Sequence, residues 1–302
     1  MVAIDSSATA AFRVARDFLL NTSDPVQAHA DFVWPKLENF NWATDWFDAV
    51  VAKNTHDALW ICTPQGDQSV SFAQLVARSN QVAAWLQEIG LQRGERVLIL
   101  LRNSAALYEV LLASIKIGVV VIPSYITISP SECLDRVQRG SITHLIADSA
   151  LVAGLNDIPG LQTRVSVGAA HEGWLNFADS LQAPAMYQPV PPSRFDDPLF
   201  GYFTSGTTSL PKLALHTHSS YPVGHLSGMY WNGVRPGDVH LNVSNPGWAK
   251  HAWSSFFVPW NAEATIVVLD VDEIKPAFIL DVMRRRQVTS CCAPTTVWRM
   301  LS

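Results

Sequence analysis

Tyr202-Phe203-Thr204-Ser205-Gly206-Thr207-Thr208-Ser209-Leu210-Pro211-Lys212 is the stretch on which the organisation of this chain turns. An apolar run over 198–203 precedes it and a second over 213–215 follows, so it reads as a tight loop between two strands. Gly206 lets the backbone come close to an anion, Thr204, Ser205, Thr207 and Thr208 offer hydrogen bonds, and Lys212 supplies a mobile positive charge. Gly201 and Gly206 have the GxxxxG spacing of a Walker A loop, but Thr207 stands where that motif needs lysine. No GxGxxG occurs either, so the usual dinucleotide fingerprint is excluded as well. On composition alone a Ser/Thr-rich turn with a solvated lysine fits equally well.

Around this stretch the chain is long and apolar enough for a large core. Its 302 residues are 48% hydrophobic, a length that favours two packed units. With 16% charged residues and a formal net charge of -5 it has no basic field for nucleic acid. Cys62, Cys133, Cys291 and Cys292 show no zinc-type spacing and read as buried reduced thiols, which fits a cytoplasmic compartment. No window reaches the roughly 18 apolar residues of a membrane span. Self-association is left open.

Strand and helix patterns alternate along the chain. A helix is expected over 8–20, a strand over 58–62, a helix from the Ser71 cap to Gly90, a strand over 96–101 and a helix over 105–117 ending at Gly118. A strand over 119–122 follows, then a capping box at Ser129-Pro130-Ser131-Glu132, then strands over 143–147 and 163–167. After the central loop come a helix over 219–230, a strand over 239–243, a helix over 250–261, a strand over 264–269, a helix over 275–286, a strand over 288–292 and a helix over 296–301. This rhythm argues for an α/β fold with mostly parallel sheets covered by helices. Pro184, Pro189, Pro191, Pro192 and Pro198 mark a connection at 184–198. It would separate a first α/β subdomain (39–183, after a lead-in at 1–38) from a second (199–302) that ends inside an apolar periodic run and reads as truncated.

The stretch 204–212 resembles the T-S-G-T-T-G-x-P-K signature of the adenylate-forming (AMP-binding) superfamily, with Ser209 where the family has glycine. The likeness runs over roughly 39–301. Asn39-Phe40-Asn41-Trp42-Ala43, Gly90-Leu91-Gln92-Arg93-Gly94-Glu95-Arg96-Val97, Lys116-Ile117-Gly118 and Gly247-Trp248 resemble the medium-chain acyl-CoA synthetase branch. The resemblance implies two stacked subdomains of the large N-terminal domain of such an enzyme, incomplete at the C-terminus. It also implies ATP with Mg2+, a medium-chain or aryl carboxylic acid, and coenzyme A as acceptor, with a carrier protein or a non-catalytic nucleotide-binding role as alternatives. Residues 204–212 would bind the ATP phosphates. Trp248, His251 and Trp253 would border the acyl pocket, although aromatics at helical spacing are also ordinary core. The family's later motifs, including its catalytic lysine, have no match in these residues, so adenylation by this chain alone is expected to be weak or absent. His216, His218 and His225 lack a carboxylate or cysteine at ligand spacing and are not read as a metal site. The run Arg284-Arg285-Arg286 reads as a solvated helix end.

Overall fold

A computed structural model describes residues 7–188, 190–204 and 211–302. Among the described residues twelve strands form two sheets. The first contains β3 (Arg96–Leu100), β4 (Val120–Pro123), β5 (His144–Asp148), β6 (Thr163–Val167), β7 (Leu175–Asn176), β8 (Pro198–Thr204) and β9 (Lys212–Thr217), in the order β7-β6-β5-β3-β4-β8-β9. The second contains β1 (Asp57–Thr63), β2 (Gly66–Ser71), β10 (Val239–Asn242), β11 (Thr265–Leu269) and β12 (Ser290–Cys292), in the order β12-β10-β11-β1-β2. Every pairing is parallel except β8–β9 and β1–β2, each of which places an antiparallel strand at a sheet edge. The α/β class and mostly parallel sheets expected from the alternation are what the chain adopts.

Local signals explain much of this. Ser71 and Gln74 form a reciprocal capping box at the start of the helix Phe72–Glu88, and Ser129 with Glu132 does the same for Pro130–Gly140. The helix Ala105–Ile117 stops where Gly118 takes φ 74°, a left-handed conformation that glycine adopts without a Cβ clash. From Val97 to Leu100 β3 is fully buried, because helices cover both faces of a parallel sheet.

Other elements depart from expectation. Helix 250–261 is three short pieces, Ala249–Ala252, Trp253–Phe257 and Val258–Asn261, broken where Ser255 leaves helical geometry (φ -112°, ψ 17°). A π-helical turn at Ser219–Val223, containing Pro222, precedes the shorter helix His225–Asn232. The 184–198 connection does not divide the sheets. β8 and β9 follow it yet join the sheet of β3–β7, while β1 and β2 precede it yet join β10–β12. Proline content reports where the chain cannot be helix or central strand, not which sheet the next strand will join.

The lead-in is part of the core. On the helix Ser7–Asn21, Phe12 is fully buried against Phe40 and Trp46, and Arg16 bonds Glu263 (2.7 Å) and the Asn261 carbonyl (3.1 Å). Trp42, Trp46 and Trp260 are buried in one aromatic cluster with Phe47, Tyr108, Phe256 and Phe257. Each indole N–H has an acceptor: Trp42 donates to Asn261 Oδ1 (2.8 Å), Trp46 to the Trp260 carbonyl (3.2 Å) and Trp260 to the Ala58 carbonyl (3.2 Å). Burying one such ring contributes about 4–6 kcal/mol as an upper estimate, at 25 cal/mol/Å2 over roughly 150–250 Å2.

The arginine run is only partly solvated. Arg284 is exposed, but Arg285 and Arg286 both bind the buried Asp67 on β2, Arg285 through two bonds of 2.7 and 2.9 Å. The Arg286 guanidinium also lies 3.6 Å from the centre of the Trp60 ring. These bonds, Arg285 first, hold the Asp67 carboxyl down at about 2. With an unfolded value near 3.9, Asp67 adds stability that is present above about pH 4 and lost as pH falls through about 2. Acid unfolding series of the wild type and Asp67→Asn are expected to converge over that window. Parallel losses in the two would contradict the pairing.

Among the described residues no helix is long and apolar enough to cross a membrane.

Candidate functional site

In a parallel α/β sheet the loops leaving the carboxyl ends of the strands lie along one edge, and there the backbone opens toward a ligand. Here the carboxyl edges of both sheets face a common crevice of about 490 Å3. Residues 101–103 after β3 and Ile126 and Thr127 after β4 line it from the first sheet. Residues 242–246 with Trp248, residues 269–272, and Thr296 with Val297 line it from the second. A smaller cavity of about 180 Å3 between Arg93, Arg96 and Asp197 lies at the opposite edge, where Arg93 is already paired with Asp197.

Gly247 brings the two halves together. A Cβ there would stand 2.6 Å from the Tyr125 nitrogen and 2.7 Å from the Ser124 carbonyl carbon, both backbone atoms, so only glycine permits this approach. The approach sets Trp248 edge-on to Tyr125, with ring centres 6.4 Å apart and Trp248 still 41% exposed at the crevice rim.

Asn103 holds the floor. Its amide group donates to the Leu269 carbonyl (3.1 Å) and the Ser244 carbonyl (3.4 Å), while its Oδ1 lies 2.9 Å from His251 Nε2. Since the amide N–H groups are committed to carbonyls, Oδ1 must accept and His251 must carry its proton on Nε2. Burial pushes the His251 pKa down to about 3, so the ring is neutral near neutral pH. Arg102 spans from one sheet to the other, binding Asp270 and Asp272 at 2.7 Å each. Lys250 donates to the Val243 carbonyl (3.3 Å) and the Cys292 carbonyl (3.4 Å), and burial lowers its pKa. The Ser244 hydroxyl is buried with no hydrogen-bond partner among the described residues.

The three aromatic candidates therefore occupy different places. Trp248 lines the crevice. His251 is buried behind it and reaches it through Asn103. Trp253 stands away from the lining, stacked on His225 with ring centres 5.9 Å apart. Arg102, Asn103 and Lys250 were not singled out from sequence, because a single polar residue just after a strand carries no periodic signal. For Arg102 and Asn103 the short distance to the carboxyl end of β3 is the cue that could have found them, whereas Lys250 lies on the helix Ala249–Ala252 and had none.

Of the phosphate-loop candidates, Thr204, Pro211 and Lys212 are described, whereas Ser205, Gly206, Thr207, Thr208, Ser209 and Leu210 lie outside the described residues. Thr204 and Lys212 are register partners where β8 ends and β9 begins, and the Thr204 hydroxyl donates to the Lys212 carbonyl (3.3 Å). β8 runs parallel to β4 with Phe200 opposite Val121, so Thr204 emerges on the same carboxyl edge as the crevice. His216 and His218 separate. His218 accepts from the Trp42 N–H (3.3 Å), while His216 lies on Tyr221 with ring centres 4.2 Å apart. Among the described residues no group of three or more His, Cys, Asp or Glu is placed to hold a metal ion.

The family model for "AMP-binding enzyme" matches residues 47–302. The chain is 33% identical over 270 residues to 4-hydroxybutyrate--CoA ligase 1 of Metallosphaera sedula, covering 87% of this chain and 47% of that protein. It is 31% identical over 281 residues to the mitochondrial acyl-coenzyme A synthetase ACSM4 of Mus musculus, covering 88% of this chain and 48% of that protein. Two solved structures share the fold. The anthranilate CoA ligase AuaEII in complex with anthranoyl-AMP matches at TM-score 0.74 and 23% identity, over 83% of this chain and 49% of that one. An acyl-CoA synthetase from Brucella canis matches at TM-score 0.80 and 20% identity, over 94% and 53%. The chain spans about half the length of the relatives it matches.

Proposed function

This chain belongs to the AMP-binding enzyme family, and from that premise we propose that it is the N-terminal portion of an AMP-forming carboxylate–CoA ligase. The observation that carries this is the hydroxyl-rich sequence 204–212, whose flanking residues Thr204 and Lys212 end β8 and begin β9 on the same carboxyl edge as the crevice. ATP would supply the activated phosphorus: a carboxylate oxygen bonds to the α-phosphorus as the bond to the departing pyrophosphate breaks. Coenzyme A sulfur then takes the acyl group and AMP leaves.

In this proposal particular residues of the chain would take particular parts in that reaction. Lys212 and the loop hydroxyls would draw charge off the leaving pyrophosphate, assisted by Mg2+. Trp248 would border the acid, and the neutral His251–Asn103 pair would keep the crevice floor in register without adding a charge that competes for the carboxylate. A crevice of about 490 Å3 suits a medium-chain or aryl acid. The named activities of the relatives, on 4-hydroxybutyrate in one and anthranilate in another, support a monocarboxylic substrate. A cytoplasmic location remains part of the same proposal.

Acid-dependent exchange of labelled pyrophosphate into ATP, measured on the gene's complete product over a panel of acids, tests this. Exchange with at least one medium-chain or aryl acid is expected. No exchange with any acid would overturn it.

A further inference from the structure

The helix Ser7–Asn21 carries two apolar stripes. Phe12, Ala15 and Leu19 point into the core, whereas Ala11, Val14, Ala15 and Phe18, at the i, i+3, i+4 and i+7 spacing of one helix face, line a groove of about 590 Å3. The other wall is the segment that follows the helix Pro25–Asp31. Phe32 lies against Phe18 with ring centres 6.0 Å apart, Trp34 stands edge-on to Phe32 at 4.8 Å, and Pro35 is buried. Over 33–37 the backbone makes no hydrogen bond among the described residues, so side-chain packing holds this wall.

The groove is apolar and open. Val14 is 72% exposed, Val33 76% and Trp34 46%, three large apolar side chains left in water on one surface. Among its lining residues the charges are Asp31 and Lys36, one at each end of the segment 32–35, and neither is in an ion pair among the described residues. A lipid surface or a nucleic acid would select a basic rim, and this rim is balanced. One acid and one base bracketing an apolar strip suit a partner that carries the same pair in reverse order. A second copy related by a two-fold axis presents that order.

We propose that this groove is a self-association surface on which a second copy of the chain packs isologously. An axis through the middle of the segment 32–35 sets Asp31 of one protomer beside Lys36 of the other, twice, and brings Val33 and Trp34 against their own counterparts. Trp34, held edge-on by Phe32, is the anchor.

Sedimentation equilibrium of the gene's complete product, over about 1 μM to 1 mM, tests this. The wild type is expected to form dimers within that range. Asp31→Lys and Lys36→Asp are each expected to weaken dimerisation at least about tenfold, because the two-fold axis turns two attractions into two repulsions. Both residues are exposed, so neither change disturbs the core. Asp31→Lys combined with Lys36→Asp in one chain restores opposite charges across the axis and should return the wild-type constant. Trp34→Asp should leave a monomer. A wild type that stays monomeric throughout overturns the proposal. A combined variant no tighter than the single ones overturns it too, since the losses then come from something other than this pairing. Dimers that persist unchanged in Trp34→Asp place the contact on another face and overturn it as well.

Discussion

Replacing Lys212 by alanine is expected to lower kcat/KM for ATP by roughly 100- to 1000-fold in the complete enzyme, with the KM for the acid nearly unchanged. Removing one preorganised charge-bearing donor from a developing anion costs about 3–4 kcal/mol in the transition state. Lys212 is the first residue of β9 and is exposed, so its loss should leave the core intact. Steady-state kinetics with ATP and acid varied separately would check this. An unchanged ATP dependence would mean that the ammonium does not meet phosphate.

Replacing Lys116 by methionine is expected to cost about 3–5 kcal/mol of stability, because it leaves a carboxylate buried and uncompensated. Lys116 is fully buried and pairs with Asp48 at 2.8 Å, while also donating to Ser79 (2.8 Å) and Asn80 (2.7 Å) on the helix Phe72–Glu88. Burial works against both charges, pushing the Asp48 pKa up and that of Lys116 down, and only their mutual attraction opposes it. Among the described residues the second oxygen of Asp48 has no hydrogen-bond partner, so Lys116 is the main compensation of the carboxylate. Adding Asp48→Asn to Lys116→Met should recover a large part of the loss in urea unfolding. A single variant within about 1 kcal/mol of the wild type would show that the pair carries little.

These residues also show what the sequence could reveal. Caps at Ser71, Ser129 and Gly118, and buried strands such as β3 and β4, were legible because each is set by neighbours a few positions away. β2 was not legible beyond the Ser71 cap at its end, because its residues are mostly exposed and polar, and its pairing with β1 alone makes it a strand. The same limit hid the exchange of hairpins between sheets and the binding of Arg285 and Arg286 to Asp67, contacts across more than two hundred positions. Lys116 was quoted only within a family motif, and its burial was invisible until three elements met around it.

The site divides in the same way. Residues 204–212 and Gly247-Trp248 were visible because the chemistry or the family writes them contiguously. The reason for Gly247 was not, since the backbone it must approach is that of Ser124 and Tyr125. Asn103 and His251, 148 positions apart, become one unit only when the ends of β3, β10 and β11 converge. Trp253 had the composition of a pocket wall, but its ring turns toward His225 instead.

The central claim is that a carboxylate oxygen is joined to the α-phosphorus of ATP at this crevice. Its most direct test is a turnover of the gene's complete product with an acid labelled with oxygen-18 in the carboxylate, followed by mass analysis of the nucleotide. One labelled oxygen in AMP is the predicted result, because the bond formed in activation is retained when sulfur takes the acyl group. Label in inorganic phosphate with ADP formed, or AMP released without label, would contradict it.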